Sequence, residues 1–285
     1  MRYIVAVSGG VDSVVLLDMV AKKYAADQLV VAHFDHGIRE TSADDAKFVQ
    51  RLAAKYKLPF ETEREELGAD ASEELARHHR YAFLRAVAKK HNAKIMTAHH
   101  ADDMVETIAI NLTRGTGWRG LAVLDSPDVE RPLLHKRKAE LIAYANTHNL
   151  KWREDATNAD TKYLRNDIRK KLGAIDNQTV ELLGLYHDRQ RALKRMIDAD
   201  TTELIGSSPY SRYFFGNVPD IVAIELLRAM FIQETGTSPT ILQRRLVLHA
   251  LKTAKPGKRL AVIKGVSLRF TKTTFVVERT SEVLL

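Results

Sequence analysis

The segment Ser8-Gly9-Gly10-Val11-Asp12-Ser13 constrains this chain more than any other part of it. It follows directly on Arg2 to Val7, a short apolar run rich in β-branched residues that reads as a buried strand. Val11 to Tyr24 then carries apolar residues at helical spacing. In a strand, turn and helix joined this way, Gly9 and Gly10 let the backbone turn tightly and approach an anion without a Cβ clash. The helix points its free N–H groups and the positive end of its dipole at the same spot. Ser8 and Ser13 can add hydroxyl hydrogen bonds to phosphate oxygens. Asp12 would be repelled by a bare phosphate and makes sense if Mg²⁺ bridges carboxylate and pyrophosphate. No G-K-[ST] follows, so this is not a Walker loop, and the G-x-G-x-x-G spacing of a dinucleotide site is absent here. Gly115-Thr116-Gly117-Trp118-Arg119-Gly120 does match that spacing, but after a predicted helix rather than a strand, so the mechanical reason for the motif is missing.

Strands and helices alternate through the first part of the chain. Leu29 to Phe34 and Lys94 to Ala98 read as buried strands. Ser42 to Tyr56, Ser72 to His91, Asp102 to Leu112 and Lys136 to His148 read as helices, with a short strand at Leu150 to Trp152. This order predicts a Rossmann-like α/β domain, a parallel sheet covered on both faces, with ligands beyond the carboxyl ends of the strands. After about Leu172 the pattern changes. Gln178 to Ile205, Pro219 to Gln233 and Pro239 to Lys252 read as helices without intervening strands, and Arg259 to Lys264, Val266 to Phe270 and Thr274 to Glu278 as antiparallel strands. The expected division is a catalytic domain over 1–180 and a smaller, mostly helical domain over 181–285 that ends in the strand element.

Composition narrows the function. The 285 residues include no cysteine, which excludes disulfides, thiolate metal ligands, a cysteine-held iron–sulfur cluster and a cysteine nucleophile. No window approaches a membrane span, and the start MRYIVAVSGG does not read as a signal peptide. A cytoplasmic enzyme is the expectation. The net charge of +8 is uneven: residues 1–190 hold 29 Lys and Arg against 28 Asp and Glu, whereas residues 191–285 hold 15 against 8. The excess sits in the C-terminal third, where Lys252, Lys255, Lys258 and Arg259 cluster, and suits either a solvated surface or a polyanion-binding domain.

A second constellation, His99-His100-Ala101-Asp102-Asp103-Met104-Val105-Glu106-Thr107, follows the third strand. Carboxylates at a helix start suit the positive dipole end, so capping is one reading. Asp103 and Glu106 are three residues apart and share a face, so they can also hold Mg²⁺ or an ammonium group at the ligand edge of the sheet. His33, His36, His99 and His100, with no cysteine beside them, read as structural rather than as a zinc site.

A strand, SGGxDS and a helix together resemble the PP-loop ATP pyrophosphatases, and the resemblance implies cleavage of ATP between its α and β phosphates with AMP left on the substrate. Without cysteines the sulfur-transferring branch does not fit. Within the family, HHADDMVET followed by Leu112-Thr113-Arg114-Gly115-Thr116-Gly117 is similar to the lysidine synthetases. So are Glu73 to Tyr81 (EELARHHRY), Arg131-Pro132-Leu133-Leu134, Arg153 to Asn158 (REDATN) and Tyr163 to Arg169 (YLRNDIR). These blocks cover about residues 3–175. The C-terminal third matches only as a basic, mostly helical appendage, and longer family members carry a further C-terminal domain.

The resemblance implies a ligase that adenylates C2 of the wobble cytidine in a CAU-anticodon isoleucine tRNA with ATP and Mg²⁺, then joins free L-lysine there. Ser8, Gly9, Gly10, Val11, Asp12 and Ser13 would bind ATP, with Asp12 holding the metal through the phosphates. Asp103 and Glu106 would take the lysine ammonium, and Arg165 or Arg169 its carboxylate or a phosphate. Asp12, Asp103, Glu106 and Arg165 are the catalytic candidates. Arg114 and Trp118, with Lys252, Lys255, Lys258 and Arg259, are the RNA-binding candidates; Trp118 could stack on the base or anchor its loop. A homodimer is left open. The competing readings are a PP-loop amidating enzyme of the NAD or GMP synthetase type and a non-catalytic nucleotide-dependent RNA-binding module.

Overall fold

Alternate residues of the first strand serve two different cores. In the computed structural model, which describes residues 1–37, 42–68, 72–153 and 175–279, β1 (Arg2–Ala6) lies at the centre of a five-stranded sheet. Tyr3, Val5 and Val7 pack on α1 (Val11–Lys23), with Val49, Leu52 and Ala53 of α2 (Ser42–Lys55) and Leu141 and Ala145 of α5 (Lys138–Thr147). Ile4 faces the other way, onto Leu84, Val87 and Ala88 of α3 (Glu73–His91). β2 (Leu29–Asp35) divides in the same manner, Leu29 and Val31 to the first core, Val30, Ala32 and Phe34 to the second. Strands buried on both faces read as near-continuous apolar runs; all seven residues of β2 are buried, and its two polar ones, His33 and Asp35, are partnered by the Val7 carbonyl and Arg64.

The strand order is β3-β2-β1-β4-β5, with β3 (Phe60–Arg64), β4 (Ala93–Met96) and β5 (Val129–Glu130), and every pairing is parallel. The parallel α/β class expected from the sequence is the one observed. β3 and β5 were not anticipated: FETER is polar and lies at the sheet's edge, and two residues give no period to read. The expected strand at Leu150 to Trp152 does not form. Asn149 adopts φ 50° and the Leu150 amide turns back onto the Ala145 carbonyl, so the segment closes α5. The Arg153 amide then donates to the Gly9 carbonyl at 3.0 Å.

Asp18, only 4% exposed, ties this layer together. It accepts hydrogen bonds from Lys22 of its own helix, from Tyr56 beyond α2 and from Tyr144 of α5, each at 2.7 Å. Burial works against its ionisation, but the three donors outweigh burial and hold its carboxyl below the usual range. A depressed folded-state pKa contributes stability above the unfolded value, near pH 3.9, and loses it as pH falls through the folded value. Asp18→Ala, which strands these donors, is expected to lower stability by about 2–4 kcal/mol in urea unfolding at pH 7, with the gap to wild type narrowing in acid.

The chain divides into Met1–Arg191 and Ala192–Leu285, and the division falls inside α6 (Asn177–Ile205). The second unit carries α7 (Arg212–Asn217), α8 (Asp220–Thr235) and α9 (Ile241–Thr253). Its antiparallel sheet has the order β6-β9-β8-β7, built from β6 (Tyr210–Ser211), β7 (Arg259–Ile263), β8 (Val266–Phe270) and β9 (Thr274–Arg279). Tyr210, Phe215, Phe231, Phe270 and Phe275 fill its core. Two of its arginines are structural. Arg212 donates to the Leu251 and Ala254 carbonyls at the end of α9 and to the Thr271 carbonyl, satisfying helix-end acceptors that have no partner within the helix. Arg244, 8% exposed, donates to the Ile224 carbonyl.

Candidate functional site

The sheet order reverses at β1. The chain leaves β1 into α1 on one face, whereas α3 on the opposite face leads into β4 beside it. The loops after β1 and β4 therefore diverge and leave a crevice at the carboxyl edge, the place where open parallel sheets bind ligands. The two constellations singled out in the sequence occupy these two loops.

The loop Ser8 to Ser13 is organised by a buried hydroxyl. Ser13 Oγ accepts the amides of Ser8 and Gly9, both at 3.2 Å, and donates to the Gly10 carbonyl at 2.9 Å. The Ser8 hydroxyl lies 3.2 Å from that of Ser13. Ser13 thus shapes the turn, and Ser8 at its mouth is the more available donor. Gly9 stands at φ 96°, which a residue with a Cβ rarely adopts. Gly10 caps α1 without a side-chain hydrogen bond, leaving the first amides of the helix to a ligand.

Asp12 turns into the crevice and meets a lysine. Lys138 Nζ lies 2.6 Å from each Asp12 oxygen. Lys138 opens α5, where a cation sits against the positive end of the helix dipole. Its backbone amide donates to Asp102 at 2.7 Å, and Asp102 also accepts Arg137 Nε at 2.9 Å. On α4 (Ala101–Thr113), Asp103 accepts the His100 amide at 3.0 Å, so helix capping is one of its tasks. The His100 ring, 7% exposed, lies 3.5 Å from Asp103 and 3.9 Å from Asp12. Burial raises the Asp103 pKa; His100 opposes that rise, and the negative charges of Asp12 and Glu106 add to it. Glu106 is 3% exposed. Asp12, Asp103 and Glu106 thus converge electrostatically, although 91 residues separate Asp12 from Asp103 in the chain.

Other sequence candidates lie elsewhere. Arg165 and Arg169, with most of the REDATN and all of the YLRNDIR blocks, lie outside the described residues. Arg114 is exposed at the end of α4. Trp118 is half-buried in a 3₁₀ turn under the Arg119 guanidinium, 4.6 Å from its ring. That turn is pinned to α4 by Asn111 to Gly120 and Thr116 to Asn111 hydrogen bonds, both 3.0 Å. The G-x-G-x-x-G stretch does follow a helix. In the second unit Lys252 pairs with Asp220 at 2.8 Å and Arg259 with Glu278 at 3.1 Å, while Lys255 and Lys258 are exposed. Sequence reasoning missed Lys138, Arg137 and the His100 contacts. The signal for Lys138 was available: a lysine at the first position of a helix needs a carboxylate brought to it from elsewhere.

A glycine turn leading into a helix start after β1, facing carboxylates after β4 across the switch point, is the arrangement of nucleotide-handling α/β domains. A family model described as a PP-loop domain matches residues 1–175, and the chain belongs to that family. The curated relatives it matches include tRNA(Ile)-lysidine synthases. That of Thermus thermophilus is 44% identical over 93% of this chain and 52% of its own length. That of Thermotoga maritima is 40% identical over 62% of this chain and 46% of its own. The chain spans about half the length of the curated relatives it matches. Among solved structures, a U34-tRNA thiolase from Methanococcus maripaludis with a [4Fe-4S] cluster shares the fold at TM-score 0.56 and 15% identity, over 68% of this chain and 71% of that one. Among the described residues, no helix is long and apolar enough to cross a membrane.

Proposed function

We propose that this chain carries the catalytic part of a tRNA(Ile)-lysidine synthase: it uses ATP to activate C2 of the wobble cytidine of CAU-anticodon isoleucine tRNA and joins the ε-amine of free lysine there. The observation that carries this reading is the 44% identity over 93% of the chain to a synthase of that name. The site's division into an anion cradle and a set of carboxylates supports it, because the reaction brings together a polyphosphate and an ammonium.

The start of α1, Ser8 and the turn at Gly9 and Gly10 would receive the ATP phosphates. The donor set fits magnesium pyrophosphate: Asp12 is a carboxylate within the phosphate cradle itself, and Mg²⁺ is held by one or two carboxylates when phosphates supply its other oxygens. Asp12 would hold the ion, which supplies charge neutralisation to the phosphates. Lys138, 40% exposed at its side chain, offers a second positive charge at the same place. The C2 oxygen of cytidine attacks the α-phosphorus, the bond to the pyrophosphate oxygen breaks, and AMP remains on the base. Asp103 and Glu106 would orient the incoming ammonium. A neutral amine must attack, and Asp103, its pKa raised by burial, is suited to take a proton from it. The amine then displaces AMP at C2.

The direct test is incubation with ATP, labelled lysine and a CAU-anticodon tRNA transcript. Label joined to the tRNA, with AMP and pyrophosphate released, is the expected result. ATP–pyrophosphate exchange indifferent to tRNA would instead favour an amidating enzyme of the NAD synthetase type. The second unit is proposed to bind tRNA through its basic surface, and the partners of its cations narrow the choice of residues to test. Arg212 and Arg244 hold carbonyls, and Lys252 and Arg259 are paired, so Lys255 and Lys258 are the ones to reverse. Lys255→Glu with Lys258→Glu should weaken tRNA binding several-fold and lower the salt slope by about one per lost contact, with ATP affinity unchanged. Unaltered tRNA affinity at moderate salt would remove this unit's surface from the interface.

A further inference from the structure

The crevice has a second charged wall, on the α3 side, and it is cationic. Arg77 and Arg80 project from the first half of α3, with their guanidinium groups 4.9 and 5.6 Å from the Tyr81 ring. Arg131 follows β5 directly, and His99 lies in the turn after β4. Arg131 Nη1 donates to the Val129 carbonyl at 3.2 Å. Its Nε and Nη2 are buried, and neither they nor the Tyr81 hydroxyl beside them forms a hydrogen bond of normal geometry. Among the described residues nearby, Glu65 pairs with His79, Asp35 with Arg64, Asp128 with Arg85 and Asp125 with Arg191. Burial, and then the charges of Arg131, Arg77 and Arg80, press the His99 pKa down to about 3, so the three arginines act on one point and His99 stays neutral among them. Buried guanidinium N–H groups without acceptors are costly unless a ligand supplies the acceptors.

We propose that Arg131, together with Arg77 and Arg80, binds backbone phosphate of the RNA strand beside the base that enters the crevice. The inference rests on the reading of tRNA as substrate. The ATP phosphates already have the loop at Ser8 to Ser13, so this anion subsite serves another group. The arginines are graded from the surface inward: Arg77 is exposed, and Arg80 and Arg131 are half-buried. A ligand that meets all three runs from solvent into the crevice. That suits a strand carrying a phosphate at every nucleotide better than the single carboxylate of a free amino acid, which one guanidinium satisfies. The carboxylates around Asp12 and Asp103 then face the amine from the opposite wall, and the base is presented between the two.

The test is binding of a CAU anticodon stem-loop RNA to the full chain, without ATP or lysine. Arg131→Gln should weaken it about tenfold and flatten the dependence of log affinity on log salt by about 0.7–1. Arg131→Lys, which keeps charge but loses the fork, should recover part of the loss. Arg77→Gln, at the exposed end of the set, should act in the same direction without disturbing the fold. KM for ATP and for lysine should stay within about twofold of wild type. Unchanged RNA affinity in folded variants overturns the proposal. So does a raised KM for lysine or for ATP with RNA affinity intact, which would assign the subsite to the amino-acid carboxylate or to the nucleotide. If the wild type binds the stem-loop in this way yet joins no lysine to tRNA, the functional reading fails and the phosphate subsite stands.

Discussion

Asp12→Ala should abolish pyrophosphate release, by about 10³-fold or more, in a protein that remains folded. Asp12 is the one carboxylate inside the phosphate loop, and its side chain is 29% exposed, so little packing is lost on truncation. What is lost is charge organisation. Both Asp12 oxygens hold Lys138, and the His100 ring lies within 4 Å. Without the carboxylate, the phosphate cradle loses its metal ligand and Lys138 loses its anchor. Removal of one preorganised electrostatic partner commonly costs 10²–10³ in rate, and here one truncation disturbs two. Lys138→Met separates the contributions: if the lysine only neutralises Asp12, its loss leaves adenylation nearly intact, and if it also faces the phosphates, the rate falls with Asp12 still in place. Near-normal pyrophosphate release by folded Asp12→Ala would remove this loop from the chemistry.

Glu106→Gln should damage the use of lysine more than adenylation, with the lysine KM raised about 10- to 100-fold. The structure favours Glu106 over Asp103 for this experiment. Asp103 accepts the His100 amide at the start of α4, so its substitution mixes helix capping with any effect on the amine. Glu106 lies one turn on, 3% exposed, and adds its charge to that of Asp103. An ammonium needs anionic acceptors, whereas the isosteric amide keeps size and much of the hydrogen bonding. Three roles give three results. An amine site predicts a raised lysine KM with normal adenylation. A metal role predicts loss of pyrophosphate release at every lysine concentration. A structural role predicts lowered stability, about 1–3 kcal/mol, with unaltered kinetics. Unchanged lysine dependence would exclude Glu106 from the amino-acid site even if tRNA is modified.

The sequence was informative wherever function depends on local backbone geometry. A phosphate cradle needs a strand, glycines and a helix start in immediate succession, so Ser8 to Ser13 could be read from six consecutive residues. Apolar β-branched runs likewise revealed β1 and β2, because strands covered on both faces are near-continuously apolar, and in β2 the polar residues His33 and Asp35 come only toward its end. Edge strands escaped for the opposite reason: FETER at β3 carries the charges an edge tolerates, and β5 is too short for any period. The basic excess of the C-terminal third was visible as a total, but only the structure shows that Arg212 and Arg244 are spent on carbonyls and that Lys252 and Arg259 have partners, leaving Lys255 and Lys258 as exposed candidates.

The partnerships across the crevice belong to tertiary structure alone. Lys138 reaches Asp12 from 126 positions away because α5 packs on the same face as α1 and its first turn arrives at the carboxyl edge of β1. Arg77 and Arg131 come within electrostatic reach of each other because α3 covers the other face and β5 ends beside β4. Sequence by itself determined the pieces whose geometry closes within one loop. Which distant charges meet was decided by the order of strands in the sheet, since a parallel sheet brings to one edge residues that the chain keeps far apart.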